Sequence, residues 1–269
     1  MIKITSTQNG LIKEVINLQL KSKERKKRNL IVIEGKKEIS LAVKANVEIQ
    51  KIFYCPSIIN YSEVCEIVGN TNIENILVYE VSYDIYSKIS YRETTGGIIA
   101  TGKFKEKKLE DLKPSKNSVY IILESVEKPG NLGAICRVAD AAKVDAVIIC
   151  DQNTDIYNPN SIRSSLGCVF TINVVNANFK EISRWLKAEN ITSYAAELTA
   201  AEFYQNVDFN GNIALIFGTE ATGLTNKWIN NADHRIKIPM RGIIDSLNVT
   251  TSVAIIVFEA MRQRGFNTN

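Results

Sequence analysis

One stretch near the C-terminus, residues 236–262 (IKIPMRGIIDSLNVTTSVAIIVFEAMR), constrains the fold more than any other part of the chain. A short β-branched strand at 236–238 stops at Pro239, which has no amide hydrogen to donate to a sheet. A turn that contains Gly242 follows, and Ser246 then begins a helix in which apolar residues recur at helical spacing. A strand, a polar turn and a buried helix predict a ligand crevice at the carboxyl edge of a sheet, although any α/β domain contains such turns. The apolar positions of the helix are Val249, Val253, Ile256, Val257 and Ala260.

This last helix is apolar over most of its circumference. Ile255 and Phe258 widen its apolar stripe beyond what a helix on the surface of a single domain needs. We therefore expect the helix to be covered by the core of its own domain or by a second subunit, and the sequence leaves both open.

The composition excludes several classes of protein. A chain of 269 residues with 45% hydrophobic and 23% charged residues is typical of one large or two medium globular domains. It has no apolar run of 18 residues, and Met1 leads into Lys3 and polar residues, so we expect a cytoplasmic protein. His234 is the only histidine, and the five cysteines lack CxxC spacing. Zinc sites and Ser-His or Cys-His catalysis are therefore disfavoured, and no metal is expected.

Positive charge is concentrated at the N-terminus. Residues 1–30 carry eight basic and two acidic residues, a net charge of +6, whereas the whole chain carries +4. The cluster follows an amphipathic helical pattern in which Leu11, Val15 and Leu18 form one stripe. A dense cationic cluster at the end of a docked helix is typical of a phosphate-binding surface, but it is also compatible with a solvated helix end. The predicted RNA-binding residues are Lys21, Lys23, Arg25, Lys26, Lys27 and Arg28.

Charged and polar residues separate two parts of the chain. The segment KFKEKKLEDLKPSKNS at 103–118 is interrupted by Pro114, which is typical of a linker. We therefore expect a smaller N-terminal α/β domain at 1–102, a linker at 103–117 and a second domain at 118–269. In the second domain, alternating strands and helices predict a mostly parallel sheet covered on both faces. Its strands are expected at 119–123, 146–150, 170–175, 191–195 and 213–217.

Two further strand-to-helix turns in the second domain carry polar residues beside glycine. In PGNLGAICR (129–137), Gly133 and Arg137 lie one helical turn apart, so the Arg137 side chain can reach back over Gly133. A guanidinium there offers a permanent charge to a phosphate or to an oxygen gaining negative charge, or it is an ordinary surface arginine. In FGTEATGL (217–224), the two glycines do not make a Walker loop, because Leu224 stands where lysine is required. Glu220 would repel a triphosphate, which favours a neutral or cationic ligand.

Taken in order, NLGAICR, FGTEATGL and IPMRGIIDSLNV resemble the three signature motifs of the SpoU (TrmH-like) RNA ribose 2′-O-methyltransferases of the SPOUT superfamily. The resemblance extends over residues 119–264. Glu34 and Gly35, which follow the basic cluster, resemble the N-terminal RNA-binding domain of this family, which is akin to a ribosomal protein. Position 128 is lysine, where the family often has an acid before the proline.

The resemblance implies a fold, a cofactor and site residues. The fold is a Rossmann-like parallel sheet with a deep trefoil knot, in which S-adenosylmethionine would lie bent, and the assembly is a homodimer with its sites near the interface. The residues that match the reaction centre, and are the predicted catalytic residues, are Asn131, Arg137, Ser246 and Asn248. The predicted cofactor-binding residues are Phe217, Gly218, Glu220, Gly223, Leu224, Ile238, Pro239, Met240, Gly242, Ser246, Leu247, Asn248 and Val249.

The activity that the resemblance implies is methyl transfer from S-adenosylmethionine to a ribose 2′-OH of RNA. Ribosomal RNA is the favoured substrate, because the separate N-terminal domain looks more like that of the ribosomal-RNA members. Transfer RNA as the substrate, and a non-catalytic RNA-binding or assembly factor on the same fold, are the alternatives. In-line displacement from a sulfonium needs neither metal nor histidine, in agreement with the residues present. Arg137 would stabilise the developing alkoxide or orient a phosphate, a role we favour over general base because a guanidinium gives up its proton at high cost.

Overall fold

Runs of aliphatic residues form the central strands of two sheets in the computed structural model. The structure describes residues 2–69, 73–91, 96–151 and 155–266. The chain divides into two compact units, each described below by itself. Unit 1 comprises Met1–Lys105 and Tyr157–Thr171, and unit 2 comprises Glu106–Ile156 and Ile172–Asn269.

Strands and helices alternate through the described residues. The strands are β1 (Ile2–Ile4), β2 (Leu30–Glu34), β3 (Glu48–Tyr54), β4 (Leu77–Val81), β5 (Ile98–Lys103), β6 (Val119–Glu124), β7 (Ala146–Cys150), β8 (Asn173–Ala177), β9 (Thr192–Ala196), β10 (Glu202–Phe203), β11 (Ile213–Phe217) and β12 (His234–Lys237). The helices are α1 (Gly10–Leu20), α2 (Ser22–Arg28), α3 (Lys36–Lys44), α4 (Tyr61–Val68), α5 (Tyr83–Ile89), α6 (Pro129–Ala141), α7 (Pro159–Ser164), α8 (Cys168–Thr171), α9 (Phe179–Ala188), α10 (Asn226–Asn231) and α11 (Val249–Gln263).

Unit 1 is built on a mixed sheet of five strands in the order β1-β4-β3-β5-β2. Strand β5 runs antiparallel to β2 and β3, and the remaining pairs are parallel. Side chains from α1 and α5 pack with the sheet in one apolar core, in which Ile12, Val15 and Leu18 are buried. The buried stripe of the first helix therefore includes Ile12 in place of the predicted Leu11, which is only partly buried.

The basic cluster lies on a helix of its own. The first helix ends at Leu20, Lys21 adopts an extended conformation, and Ser22 begins α2. No glycine or proline marks this break, so the helical pattern of the sequence runs through it.

Arg25 of α2 is buried, with only 2% of its surface exposed. Its guanidinium donates to the backbone carbonyl of Leu18 and, at 3.0 Å, to that of Gln19. These carbonyls belong to the last turn of α1 and have no partner within that helix. Arg25 therefore caps α1 and fixes the angle at which α2 leaves it.

Unit 2 contains a seven-stranded sheet in the order β10-β12-β9-β11-β6-β7-β8, and every described pair in it is parallel. Strands β6, β7 and β11 are buried along their whole length, as expected for parallel strands with both faces covered. The predicted α/β class with a parallel sheet is therefore confirmed. Because the strands are parallel, their carboxyl ends meet at one edge, where Phe217 of β11 is level with Ala196 of β9.

The expected strand at 170–175 was placed too early. Phe170 lies in the short helix α8, where its ring stacks on Tyr157 with the centroids 6.1 Å apart, and β8 begins only at Asn173. Leu166 and Gly167 both have positive φ and end the preceding helix, α7, in a tight turn. A short apolar run does not distinguish a buried helical turn from a buried strand, and the local turn decides it here.

No helix within the described parts of the chain is long and apolar enough to cross a membrane.

Replacing Arg25 by methionine tests its capping role. The variant keeps the apolar stem but leaves the carbonyls of Leu18 and Gln19 without their donor, so we expect a loss of about 1–3 kcal/mol in the free energy of unfolding. Urea denaturation measures this loss. The exposed neighbour Lys26 provides the control, since Lys26→Met should change stability by no more than about 0.5 kcal/mol. Equal stability of the two variants would show that Arg25 does not act as a cap.

Candidate functional site

The carboxyl edge of the sheet in unit 2 holds a cavity of about 460 Å³. Its walls are the segments that follow three neighbouring strands, β9, β11 and β12, together with one face of α11. The residues that line it are Ala196, Glu197, Leu198, Thr199, Phe217, Gly218, Thr219, Glu220, Ala221, Thr222, Gly223, Leu224, Ile229, Ile236, Lys237, Ile238, Met240, Asp245, Ser246, Leu247, Val249, Ser252 and Ile256.

The segment after β11 is folded tightly on itself. The amide of Thr219 donates to the carbonyl of Gly223 at 3.2 Å, and the amide of Gly223 donates back to the carbonyl of Thr219 at 3.0 Å. A Cβ atom at Gly218 would lie 2.1 Å from the carbonyl carbon of Gly223, a distance that no side chain can occupy. Gly223 has φ of +66°, which favours glycine. Both glycines are therefore needed for this turn, which presents Glu220 at its tip.

The Glu220 carboxylate joins three separate segments. It accepts hydrogen bonds from the side-chain amides of Asn131 (3.1 Å) and Asn248, and it forms an ion pair with Lys128 at 2.6 Å. The hydrogen bond from Lys128 is the largest cause of a lowered pKa of Glu220, and the bond from Asn131 adds to it. The carboxylate is therefore held in its charged form by donors from both neighbouring segments.

Local structure fixes both asparagines. Pro129 occupies the first turn of α6, where its missing amide hydrogen is not needed, and the half-buried Asn131 follows in the same turn. Asn248 is the N-cap of α11, and its Oδ1 accepts from the amide of Thr250 at 2.9 Å. Because that bond orients the side-chain amide, the Nδ2 group of Asn248 faces Glu220.

Glu197, at the end of β9, is a second carboxylate of the cavity and was not predicted. It accepts from the amide and the hydroxyl of Thr199 at 2.8 and 2.7 Å and from Arg235 at 2.9 Å. Burial alone would raise the pKa of Glu197, but the bonds from Thr199 and Arg235 outweigh it, so that the pKa is lowered. The sequence did contain a signal for this residue, because β9 and β11 were both expected as parallel strands that end at the same edge.

Most of the predicted cofactor-binding residues lie on the cavity wall. Three do not line it, namely Pro239, Gly242 and Asn248, although Asn248 reaches the site through Glu220. Those that line it are Phe217, Gly218, Glu220, Gly223, Leu224, Ile238, Met240, Ser246, Leu247 and Val249.

The predicted catalytic residues are only partly brought together. Asn131 and Asn248 share the Glu220 carboxylate, and Ser246 lines the cavity with its hydroxyl donating to Asp245 at 3.0 Å. Arg137 is exposed on α6, one turn after the buried Gly133, and it is not among the residues that line the cavity.

In unit 1, the six predicted RNA-binding residues have different surroundings. Lys21, Lys23, Lys26 and Lys27 are exposed. Arg25 is the buried cap of α1. Arg28 forms ion pairs with Glu14 at 3.1 Å and Glu24 at 3.2 Å. The surface charge of the cluster is therefore carried mainly by the four lysines.

Glu34 and Gly35, which carry the resemblance of this part of the chain, lie next to each other after the cluster. Glu34 is the last residue of β2, and Gly35, with φ of +109°, begins the turn into α3.

The cavity suits a small organic ligand better than a metal ion. Within the part of the chain that the structure describes, no group of three or more His, Cys, Asp or Glu side chains could hold a metal. His234 lies outside the cavity lining and stacks on Tyr194 with the ring centroids 4.8 Å apart. The cavity volume falls in the range of small-molecule sites, roughly 300–1,000 Å³.

Comparison with known families matches both ends of the chain. The profile of the SpoU rRNA Methylase family matches residues 118–258. The profile of the MRM3-like substrate binding domain matches residues 9–100.

Individual relatives are similar along nearly the whole chain. The 23S rRNA (guanosine(2553)-2′-O)-methyltransferase RlmP of Bacillus subtilis (strain 168) is 31% identical over 96% of this chain and 98% of its own length. The crystal structure of an RNA 2′-O ribose methyltransferase has a TM-score of 0.84 at 34% identity and covers 98% of this chain and 99% of that chain. An AdoMet-bound rRNA methyltransferase from Sinorhizobium meliloti has a TM-score of 0.89 at 28% identity, with 97% of each chain covered.

Removing the ammonium of Lys128 should raise the pKa of Glu220. Lys128→Met deletes the largest cause of the lowered value, so the carboxyl should titrate closer to its ordinary range. NMR titration of the glutamate carboxyl carbons measures this, with Glu220→Gln to assign the signal. Lys227→Met, which removes another exposed lysine of the same unit, should leave the titration unchanged.

The same shift has a consequence for stability. A carboxyl with a lowered pKa stabilises the folded chain above its unfolded pKa, and this contribution is lost as pH falls through the folded pKa. Because the folded pKa of Glu220 lies closer to its unfolded pKa in Lys128→Met, the contribution should be smaller in this variant, and its loss should be complete at higher pH than in the parent chain. Identical titration of Glu220 in both proteins would show that the ion pair does not form in solution.

Proposed function

Because the chain belongs to the SpoU rRNA methylase family, we propose that it transfers the methyl group of S-adenosylmethionine to a ribose 2′-hydroxyl of RNA, most directly ribosomal RNA. One observation carries the proposal. Asn131, Glu220 and Asn248, each from a different one of the three motifs, meet at the rim of one cavity through a shared carboxylate.

The cavity fits S-adenosylmethionine in both size and chemistry. The cofactor has a cationic sulfonium and amino group, and Asp245, which accepts from the Ser246 hydroxyl, supplies a carboxylate at the cavity wall. Glu197 and Glu220 also line the cavity, but they form ion pairs with Arg235 and Lys128. It also has an apolar adenine face, for which Leu198, Leu247 and Ile256 provide apolar surface. When bound, the cofactor supplies an electrophilic methyl group on a positively charged sulfur.

The residues of the chain then have two tasks. The first is alignment of the ribose hydroxyl with the methyl group, which can contribute roughly 7–11 kcal/mol to the barrier reduction. We assign Asn131, Ser246 and Asn248 to this task, since Asn131 and Asn248 are held by Glu220 and Ser246 lines the cavity. The second is stabilisation of the negative charge that develops on the hydroxyl oxygen as its proton passes to water. That oxygen takes the methyl group as the bond to sulfur breaks, which leaves a neutral thioether. We assign this task to the Arg137 guanidinium, which remains charged and acts electrostatically.

Ribosomal RNA is the favoured substrate. The relative from Bacillus subtilis, which is similar over 96% of this chain, is named for guanosine 2553 of 23S rRNA. The match of residues 9–100 to a substrate-binding domain supports a role of unit 1 in holding RNA. We also retain the cytoplasm as the proposed location, since ribosomal RNA is the proposed substrate.

Unit 1 would bind RNA through its exposed lysines. Lys21, Lys23, Lys26 and Lys27 are proposed to contact phosphates, each of which would contribute to a salt-dependent affinity. Arg25 is omitted because its guanidinium is committed to the carbonyls of α1.

The finer features of the fold are also proposals. We propose residues 1–102 as the RNA-binding domain, 103–117 as a linker and 118–269 as the methyltransferase domain, although Tyr157–Thr171 groups with unit 1 by its contacts. We propose that the C-terminal segment forms a deep trefoil knot. The match of residues 118–258 to the SpoU rRNA Methylase family supports this proposal.

A homodimer is proposed from the apolar surface of the last helix. Phe258 and Phe266 are 40% and 57% exposed, and their ring centroids lie 6.5 Å apart. A second subunit packed on this face would cover both rings and account for the wide apolar stripe of α11.

The activity can be tested with methyl-labelled S-adenosylmethionine. The purified chain is incubated with unmodified 23S rRNA or with transfer RNA, and the RNA is then hydrolysed in alkali. A 2′-O-methyl group blocks attack on the adjacent phosphate, so we expect label from 23S rRNA in alkali-resistant dinucleotides. Label in mononucleotides would indicate methylation of a base. Label found only in transfer RNA would contradict the proposal that ribosomal RNA is the substrate. Cofactor binding without any transfer would favour a non-catalytic RNA-binding factor.

Arg137→Ala should abolish methyl transfer while leaving cofactor binding nearly intact. The reason is that Arg137 is not among the residues lining the cavity but would face charge that develops only during the reaction. We expect a loss of about 100-fold or more in kcat, with the calorimetric Kd for S-adenosylmethionine changed by less than about threefold. Arg184→Ala, at an exposed position on α9 of the same unit, is the matched control. Substantial turnover by Arg137→Ala would contradict the assignment.

A further inference from the structure

Glu124 is a buried carboxylate that does not line the cavity. It is the last residue of β6 and is only 3% exposed. Its two oxygens accept from a single residue, the backbone amide of Thr225 at 2.7 Å and the hydroxyl of Thr225 at 2.7 Å. A carboxylate is buried at a cost, and these two charge-assisted bonds offset it.

Thr225 bonds to Glu124 in place of the capping bond that its side chain would normally make. It is the N-cap of α10, a position where a threonine hydroxyl normally accepts from an amide of the first helical turn. In this chain its side chain makes no such capping bond and donates to Glu124 instead. The local bond has been exchanged for one between residues 101 positions apart.

The position of Thr225 explains why such a bond matters. The turn 218–224, which carries Glu220, begins at the end of β11 and ends directly before Thr225. Its first end is fixed by the pairing of β11 with β6 and β9. Its second end is held by the buried Leu224 and, through Thr225, by two directional bonds to Glu124.

We infer that Glu124 is a positioning residue for the proposed methyl transfer, which fixes the far end of the Glu220 turn against β6 through Thr225. This inference rests on the proposed function, because the turn forms one wall of the proposed cofactor site. Glu220 itself bonds to Lys128, Asn131 and Asn248, whereas Glu124 holds the backbone at the end of the turn through the amide and the hydroxyl of Thr225. Glu124 thereby fixes the position of Glu220 relative to Asn131. Asn131 lies in α6, the helix that follows β6 in the chain.

Two substitutions at Glu124 separate positioning from mere packing. Glu124→Met keeps the length of the side chain and removes both acceptors. Glu124→Gln keeps both bonds, because its carbonyl accepts from the Thr225 amide and its NH₂ group donates to the Thr225 hydroxyl, which can reverse its direction. Glu124→Gln is therefore the conservative rescue.

Asp233 offers a matched control in the same unit. Its Oδ2 accepts from the amide and the hydroxyl of Ser193 at 2.8 and 2.6 Å, the same pair of donors that Glu124 uses. Ser193 lies near the start of β9, however, at the opposite edge of the sheet from the cofactor cavity. Asp233→Leu thus removes an equivalent pair of bonds away from the proposed site.

The experiment measures the calorimetric Kd for S-adenosylmethionine and the exchange of backbone amides with solvent in the cofactor-free chain. We expect Glu124→Met to raise the Kd by about tenfold or more, the equivalent of one charge-assisted hydrogen bond, and Glu124→Gln and Asp233→Leu to stay within about twofold. The amides of Thr219 and Gly223, which are bonded within the turn, should exchange faster in Glu124→Met alone.

The outcomes distinguish this inference from the proposed function. If only the amide of Thr225 exchanges faster in Glu124→Met, and the variant binds the cofactor like the parent chain, the contact between Glu124 and Thr225 is merely structural and the inference is overturned. If the parent chain itself does not bind S-adenosylmethionine, the proposed function fails, and the exchange at Thr219 and Gly223 alone decides whether Glu124 sets the turn. Should Glu124→Met fail to fold, Thr225→Val against Thr225→Ser tests the hydroxyl bond alone, because the backbone amide of residue 225 still donates to Glu124 in both variants.

Discussion

The rest of the site depends on the hydrogen bonds and the ion pair that the carboxylate of Glu220 forms. It binds Asn131 at the start of α6 and Asn248 at the start of α11, and it pairs with Lys128 ahead of α6. These donors belong to segments that are separated from Glu220 by 89, 28 and 92 positions. One charged group therefore ties both helix starts to the turn after β11, and the cavity lies beside this junction.

Much of the fold follows from the sequence because buried parallel strands are continuous aliphatic runs. The expected strands at 146–150 and 213–217 coincide with β7 and β11, whose residues are all buried. Where an apolar run is short, its pattern does not separate a strand from a helical turn, and Phe170 was misplaced for this reason. The break between α1 and α2 was also missed, since it depends on the tertiary bonds of Arg25 and not on a helix-breaking residue.

The candidate site was predictable where chemistry is encoded in short motifs, and not where it depends on burial or distant partners. The motif residues Asn131, Glu220 and Asn248 do meet, and most of the expected cofactor-binding residues line one cavity. The roles of Glu197 and Glu124 were missed, because each is defined by residues that only the folded sheet brings near. Lys128 departs from the family pattern, but its pairing with Glu220 could be found only in the structure.

A mutant cycle on S-adenosylmethionine binding tests most directly whether Glu220 unites the site. The Kd is measured by calorimetry for Asn131→Ala, Asn248→Ala and Glu220→Met, and for each asparagine variant combined with Glu220→Met, because a glutamine would keep the oxygen to which both asparagines donate. If the carboxylate is the shared partner, each double variant should bind about as well as Glu220→Met alone, with a coupling energy of about 1–3 kcal/mol. Single effects that add to within about 0.5 kcal/mol, or single variants that all bind like the parent chain, would contradict the account.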